Sequence, residues 1–504
     1  MSVQESCPHS AEAATLEGGD HRYANPMTSD PSPEPALPMS QKLLYGLGYL
    51  PDTISTNLLG VLALMIYNVE LKVPATWIGL AMAIPRLWEA ITDPIIGSLS
   101  DRTRTRWGRR RPFMLLGSIG CGLLCMFLWN PPSAWCQGAH HPQLVGFFAV
   151  VSLLFLTCYA AYSVPFLALG LEMTTCDRER TSLMSYRTAA DQFARMAILA
   201  FLPVLVTNEW LGSTPVASVG VLGILLGVLI MGLGIAAAVF SRERATVTAA
   251  PEAIDITAGF TALFGNRALL MVVGIIIFVL LGFILSVSLT YYLNLAVVFP
   301  GGGLEQKQLA TKVTGVAQSV SAIAGLMFCF VVPALSTRLG RRRLLIIALT
   351  TLLAVFLASP LLFAPDRPLW FHLLTQTTFQ AILAMTLSCV WILTLPMLAD
   401  VCDHDQIVNG TRREGLFTAL FQWGGKLAGA LIMVISGLMI DASQFQPDLA
   451  VQSPATITYL RWAFALTPLP FLLAAIVCTV RFPLSPERNA HLRLTRTATA
   501  ETTA

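Results

Sequence analysis

The stretch Arg86–Gly117, RLWEAITDPIIGSLSDRTRTRWGRRRPFMLLG, decides the fold. It starts inside an apolar helical pattern yet carries Arg86, Glu89 and Asp93. It leaves through Asp101 into six arginines (Arg102, Arg104, Arg106, Arg109, Arg110 and Arg111) and enters a second apolar segment at Pro112. Residues three and four apart share a helix face, so Arg86, Glu89 and Asp93 line up. One ionisable side chain at mid-membrane costs about 2.5–3.5 kcal/mol on insertion scales. Three on one face therefore turn to a protein interior or a water-filled cavity rather than to lipid, and they mark a functional site.

The rest of the chain agrees with a membrane setting. It has 504 residues, 55% hydrophobic and 12% charged, with mean hydropathy +0.66; an ordinary soluble chain is about 25% charged. The net charge is only +3, and its distribution carries more than its sum. Ten cysteines are scattered singly, mostly inside apolar segments. Cys136 is the one expected in an outer loop, so no disulfide framework is implied. Residues 1–40 are polar, acidic and Pro/Ser-rich, without a basic and apolar leader, and read as a disordered cytoplasmic tail. Cys7–His9, His140 and His141 read as tail and loop residues, not ligands.

Apolar segments of about 20 residues recur, each long enough to span a bilayer. They fall at 43–67, 77–99, 112–129, 144–170, 184–206, 216–240, 266–297, 313–335, 344–364, 369–398, 413–440 and 459–480. The fold class is thus an all-α membrane protein of twelve spans in two six-helix halves. The halves are 41–240 and 266–482, joined by a cytoplasmic loop 241–265 and followed by a tail 483–504. Arginines crowd the loops after even-numbered spans, whereas the others carry only Lys72, Lys307, Lys312, Arg367 and Arg461. The positive-inside rule puts both termini in the cytoplasm of a protein of the plasma (inner) membrane. The turn RWGRRRPFMLLG at 106–117 returns as RLGRRRLLIIAL at 338–349, after the second span of each half. Duplicated halves with a polar site between them are the common plan of secondary transporters.

Several blocks in order then carry a resemblance: YGLG at 45–48, WEAITDPIIGSLSDRTRTRWGRRRPF at 88–113, VPFLALGLEMTTCDRERTSLMSYR at 164–187 and ADVCDHDQIVNGTRREGL at 399–416. From about residue 41 to 485 the chain resembles the glycoside–pentoside–hexuronide:cation symporters, the melibiose permease type, within the major facilitator superfamily. The resemblance implies cation binding by Glu89 and Asp93 beside Lys426. It implies sugar binding by Arg187, with Trp391 on helix ten and Arg86 opening the acidic face. Two positions depart from the family. Its helix-four acid falls on Ser163, and its helix-one acid falls on Thr53, with Asp52 one position early and so rotated about 100°. Both losses are expected to remove acceptors for sugar hydroxyls, and two acids in place of three weaken the case for sodium.

Read as residues, the same positions keep two meanings. Glu89 and Asp93 form either a cation site or an ion-pair network with Arg86 and Lys426. Arg187, Asp191 and Arg195 form either a solute contact or a static ladder on helix five. Thr418, Gln422 and Lys426, then Tyr159, Tyr162 and Ser163, then Gln376 and Gln380, make polar patches. Trp391 is either a stacking platform or a bilayer-interface residue. Substrate contacts are expected at Asp52, Arg86, Tyr159, Ser163, Arg187, Trp391 and Gln422. A cytoplasmic gate of charge pairs is expected from Asp101, Arg102, Glu172, Asp177, Arg178, Arg180, Asp400, Asp403 and Arg412; the same charges also serve as the orientation signal. Asp403-His404-Asp405 reads as part of that gate, and no metal site is expected.

The expected function is secondary active transport: symport of a small polar solute, a sugar or glycoside, with H⁺ or Na⁺ by alternating access. The partners are that solute, the coupling cation and the lipid bilayer, with no nucleic acid and no cofactor. A proton-linked exporter or lipid carrier on the same fold is the alternative, and a non-transporting sensor is the reading from another class. The sequence has no zinc signature, P-loop or nucleophile elbow, so it does not read as an enzyme.

Overall fold

A computed structural model of the chain describes residues 37–136, 141–173, 177–207, 210–241, 264–299, 304–363, 367–409, 414–446, 449 and 451–484. Eleven of the described helices are long and apolar enough to cross a bilayer by themselves. In the first half these are α1 (Met39–Glu70), α3 (Arg111–Leu128), α4 (His141–Glu172), α5 (Asp177–Thr207) and α6 (Pro215–Phe240). In the second they are α7 (Arg267–Val298), α8 (Leu304–Leu339), α9 (Arg341–Leu362), α10 (Leu369–Asn409), α11 (Glu414–Ala442) and α12 (Pro454–Arg481). The twelfth is α2 (Ala75–Arg102), 28 residues long, which carries the charged face.

Local chemistry sets several boundaries. Thr214 caps α6 through the Ala217 N–H at 3.2 Å, ahead of Pro215. Asn266 caps α7 through the N–H groups of Ala268 and Leu269 at 3.0 and 3.1 Å. Ser453 caps α12 through Thr456 N–H at 3.1 Å. These are the side chains that satisfy orphan donors at a helix start. α8 and α10 run well past the apolar stretches at 313–335 and 369–398. Their extra turns hold charged residues such as Glu305, Lys307 and Asp400, which hydropathy does not count as helix. Asp400 and Asp403 therefore lie in α10, not in the loop after it.

α1 is broken at Tyr49, just before Pro51, whose ring offers no N–H to the helix ladder. The break sets Tyr49, Asp52 and Thr53 at the join between the two segments of α1. The ends of α1 and α7, equivalent spans of the two halves, both widen into π-helix, at Leu64–Glu70 and Asn294–Val298. Each π segment carries an asparagine whose side chain bonds outside its helix. Asn68 accepts from Tyr292 Oη at 2.7 Å, and Asn294 accepts from Gln376 Nε2 at 2.6 Å.

Between the halves, α2 lies on α11 and α5 on α8. Glycines set the first contact. A Cβ on Gly79 would fall 2.3 Å from Met433 O, and one on Gly437 would fall 2.5 Å from Ala75 O. Small residues let membrane helices approach this closely.

Candidate functional site

The charged face of α2 meets one side chain from the other half. Lys426 Nζ, on α11, lies 3.0 Å from Glu89 Oε1 and also bonds Asp93 Oδ2. Arg86 Nη1 sits 3.1 Å from Glu89 Oε2, and its Nη2 donates to Thr56 O on α1 at 2.6 Å. Glu89 is 4% exposed. Burying a carboxylate this deeply is tolerable only because a guanidinium and an ammonium satisfy its two oxygens. Asp93 differs, because its Oδ1 is buried and hydrogen-bonded to nothing among the described residues. Sequence reasoning brought Arg86, Glu89, Asp93 and Lys426 together, and the structure joins all four.

A second polar cluster surrounds the break in α1. Asp52 Oδ1 accepts from Tyr159 Oη at 3.0 Å and from Ser163 Oγ, both on α4. Thr53 Oγ1 donates to Asp191 Oδ1 on α5 at 2.8 Å. Asp191 in turn pairs with Arg195 at 3.1 Å. Arg187 donates to Tyr49 Oη at 3.0 Å, and its guanidinium lies 4.3 Å from the centre of the Tyr49 ring. The 100° between neighbouring helix positions thus sends Asp52 to α4 and Thr53 to α5. The expected loss of acceptors needs correction: a carboxylate from a neighbouring helix stands at each of the two departures.

The remaining candidates separate. Trp391 lies midway along α10, 38% exposed and edge-on to Phe421 at 6.3 Å, rather than at a helix end where an interface belt would hold it. Gln422 is exposed one turn before Lys426. Gln376 is tied to Asn294, and Tyr162 donates to Gly48 O, so both serve packing. Of the gate residues, Asp101 is held by Arg110 at 3.0 Å and Asp400 by Arg341 at 3.0 Å, each inside its own half. Arg102 is exposed at the end of α2. Asp403 lies one turn beyond Asp400 in α10. The side chains of Glu172, Asp177, Arg178 and Arg180, and all of Arg412, lie outside the described residues.

The sequence did not disclose a set of ties between the halves at the other end of α2. Asp441, closing α11, accepts from Ala75 N at 2.9 Å and Thr76 N at 2.8 Å, capping α2 from the opposite half. Lys307 pairs with Glu70 at 2.8 Å, Tyr292 donates to Asn68 at 2.7 Å, and Thr207 bonds Thr311 at 2.9 Å. One signal existed: Glu70, Lys307 and Asp441 are among the few charges at that end of the spans.

The profile of the family described as MFS/sugar transport protein matches residues 44–486. The chain belongs to that family. An uncharacterized symporter of Synechocystis sp. is 25% identical across 91% of this chain and 96% of its own length. The isoprimeverose transporter of Lactiplantibacillus pentosus is 23% identical across 83% of each. Among solved structures, a D-xylose–proton symporter superposes with a TM-score of 0.58 at 15% identity, covering 88% of this chain and 97% of that one. Two six-helix halves with a polar cluster between them are thus the major facilitator fold. The chain is a multi-pass membrane protein of a transporter family, not of an enzyme family.

Proposed function

We propose that this protein carries a sugar or glycoside across the cytoplasmic (inner) membrane together with a proton, using the Glu89–Asp93–Lys426 cluster as the coupling site. One observation carries the reading: an ammonium from one half is bonded to two carboxylates of the other. A positive charge held there is what a coupling cation would replace. The orphaned Asp93 Oδ1 favours a proton, which satisfies a lone carboxylate oxygen directly. A sodium ion instead needs a shell of several oxygens, and at the position where the resemblance expects a further carboxylate this chain has Ser163.

Protonating Asp93 removes one of the two anionic partners of Lys426, so the tie between the halves changes when the ion binds. Whatever effect a bound solute has on proton affinity at this site, the proton has equally on solute affinity. One charge falling through 100 mV supplies about 2.3 kcal/mol, enough for roughly a 50-fold gradient. With the arginine-rich loops on the cytoplasmic side, as the positive-inside rule expects, both termini are cytoplasmic and the Asp441, Glu70 and Lys307 ties close the outer face. Uptake of labelled sugars into proteoliposomes with an imposed pH gradient, with and without sodium, tests this. Accumulation driven by the pH gradient alone is expected. Accumulation driven by sodium at constant pH would overturn the proton and leave Glu89 and Asp93 as the site.

A further inference from the structure

The two departures from the family pattern share one geometry. At each, a hydroxyl stands where the resemblance expects an acid, and it donates to a carboxylate from the neighbouring helix: Ser163 to Asp52, and Thr53 to Asp191. A carboxylate has about four acceptor sites, so neither acid is used up by its hydroxyl. Arg187 stands one turn before Asp191 on α5, so a forked donor and an acceptor share one face. Adjacent hydroxyls of a sugar match such a pair, one donating to the carboxylate and the next accepting from the guanidinium.

The cations of the site are already matched. Arg86 is bonded to Glu89, Lys426 to Glu89 and Asp93, and Arg195 to Asp191. Arg187 donates to Tyr49 Oη at 3.0 Å and lies on the Tyr49 ring. A solute carboxylate entering here meets the carboxylates of Asp52 and Asp191, whose like charge disfavours it. A neutral solute meets acceptors at Asp52 and Asp191 and a donor at Arg187, with no charge of its own to be repelled.

We propose that Asp191 is a specificity-determining residue which, with Asp52, accepts the hydroxyls of the transported sugar, and that the site selects neutral glycosides over hexuronides. This rests on the glycoside reading above.

The test is proton-driven uptake into proteoliposomes of neutral p-nitrophenyl hexosides and of p-nitrophenyl glucuronide. Wild-type protein is expected to favour a neutral hexoside by about tenfold or more. Asp191→Asn should raise its KM by about tenfold, the scale of one charge-assisted hydrogen bond, with little change in thermal stability. Asp191→Thr alone should lose affinity, and Thr53→Asp/Asp191→Thr should recover it to within about threefold, because the exchange returns a carboxylate to the same place. A purely structural ladder would show the reverse: Asp191→Asn would lower thermal stability and leave KM unchanged. That result, or a wild-type preference for the glucuronide, overturns the inference while the glycoside reading stands. Uptake of neither class by wild-type protein overturns both.

Discussion

Lys426 is the residue on which most of the polar chemistry converges, because it joins two acids of the other half near the middle of α11. Its removal leaves Glu89 with Arg86 but leaves Asp93 with no cation bonded to it among the described residues. Breaking one member of a buried pair costs about 3–5 kcal/mol, and a side chain 29% exposed belongs at the lower end of that range. Lys426→Ala should therefore lower the thermal unfolding midpoint in detergent, and adding Asp93→Asn should restore most of it. A double variant no more stable than the single would show that Asp93 does not depend on Lys426. Asp93→Asn alone should abolish accumulation against a gradient while downhill exchange persists; retained proton-driven accumulation would move the coupling site elsewhere. At this scale the sequence was informative where a motif and a spacing coincided, as at Glu89, Asp93 and Lys426. It was silent on where Asp52 and Thr53 point, because a 100° offset says that neighbours diverge but not which helix each one meets.

The helices themselves were legible because each apolar run is long and each loop is short and polar. What escaped was how one element meets another. Nothing in the sequence sets Gly79 and Gly437 apart from other glycines of the spans, yet each faces a carbonyl of the opposing half. A Cβ at Gly437 would sit 2.5 Å from Ala75 O, and a backbone atom yields less easily than a flexible side chain. Gly437→Val should therefore wedge α2 from α11 at that end and weaken the capping of α2 by Asp441. Loss of an N-terminal cap costs about 1 kcal/mol, roughly a fivefold shift in a two-state balance. An Ala75→Cys thiol should then be modified several-fold faster in the Gly437→Val background by a membrane-impermeant reagent. An unchanged labelling rate would mean that this crossing does not hold the face closed. The paired π-helix ends of α1 and α7 belong to the same level: the duplication read from two arginine turns reappears as backbone geometry that hydropathy cannot report.

Across the whole molecule, the halves are joined at two depths. The Lys426 cluster ties them near the middle of α11, and Asp441, Glu70–Lys307, Asn68–Tyr292 and Thr207–Thr311 tie them at the face away from the arginine loops. The sequence revealed the halves through repetition, but it could not reveal which ends touch, since that depends on the conformation the halves adopt. The far-end ties are short-range and polar, and Glu70 and Lys307 keep side-chain exposures of 15% and 16%. Such a pair holds a face together without fusing it, which suits a contact that forms and breaks once per cycle. Alternating access then requires that this face part in every turnover. A cleavable reagent joining Glu70→Cys to Lys307→Cys should stop net uptake in proteoliposomes, and reduction of the linker should restore it. Each single-cysteine variant treated alike should keep its uptake. Full uptake with the linker intact would mean that solute passes without the halves separating there, and a rocking mechanism about the Glu89–Asp93–Lys426 site would have to be abandoned.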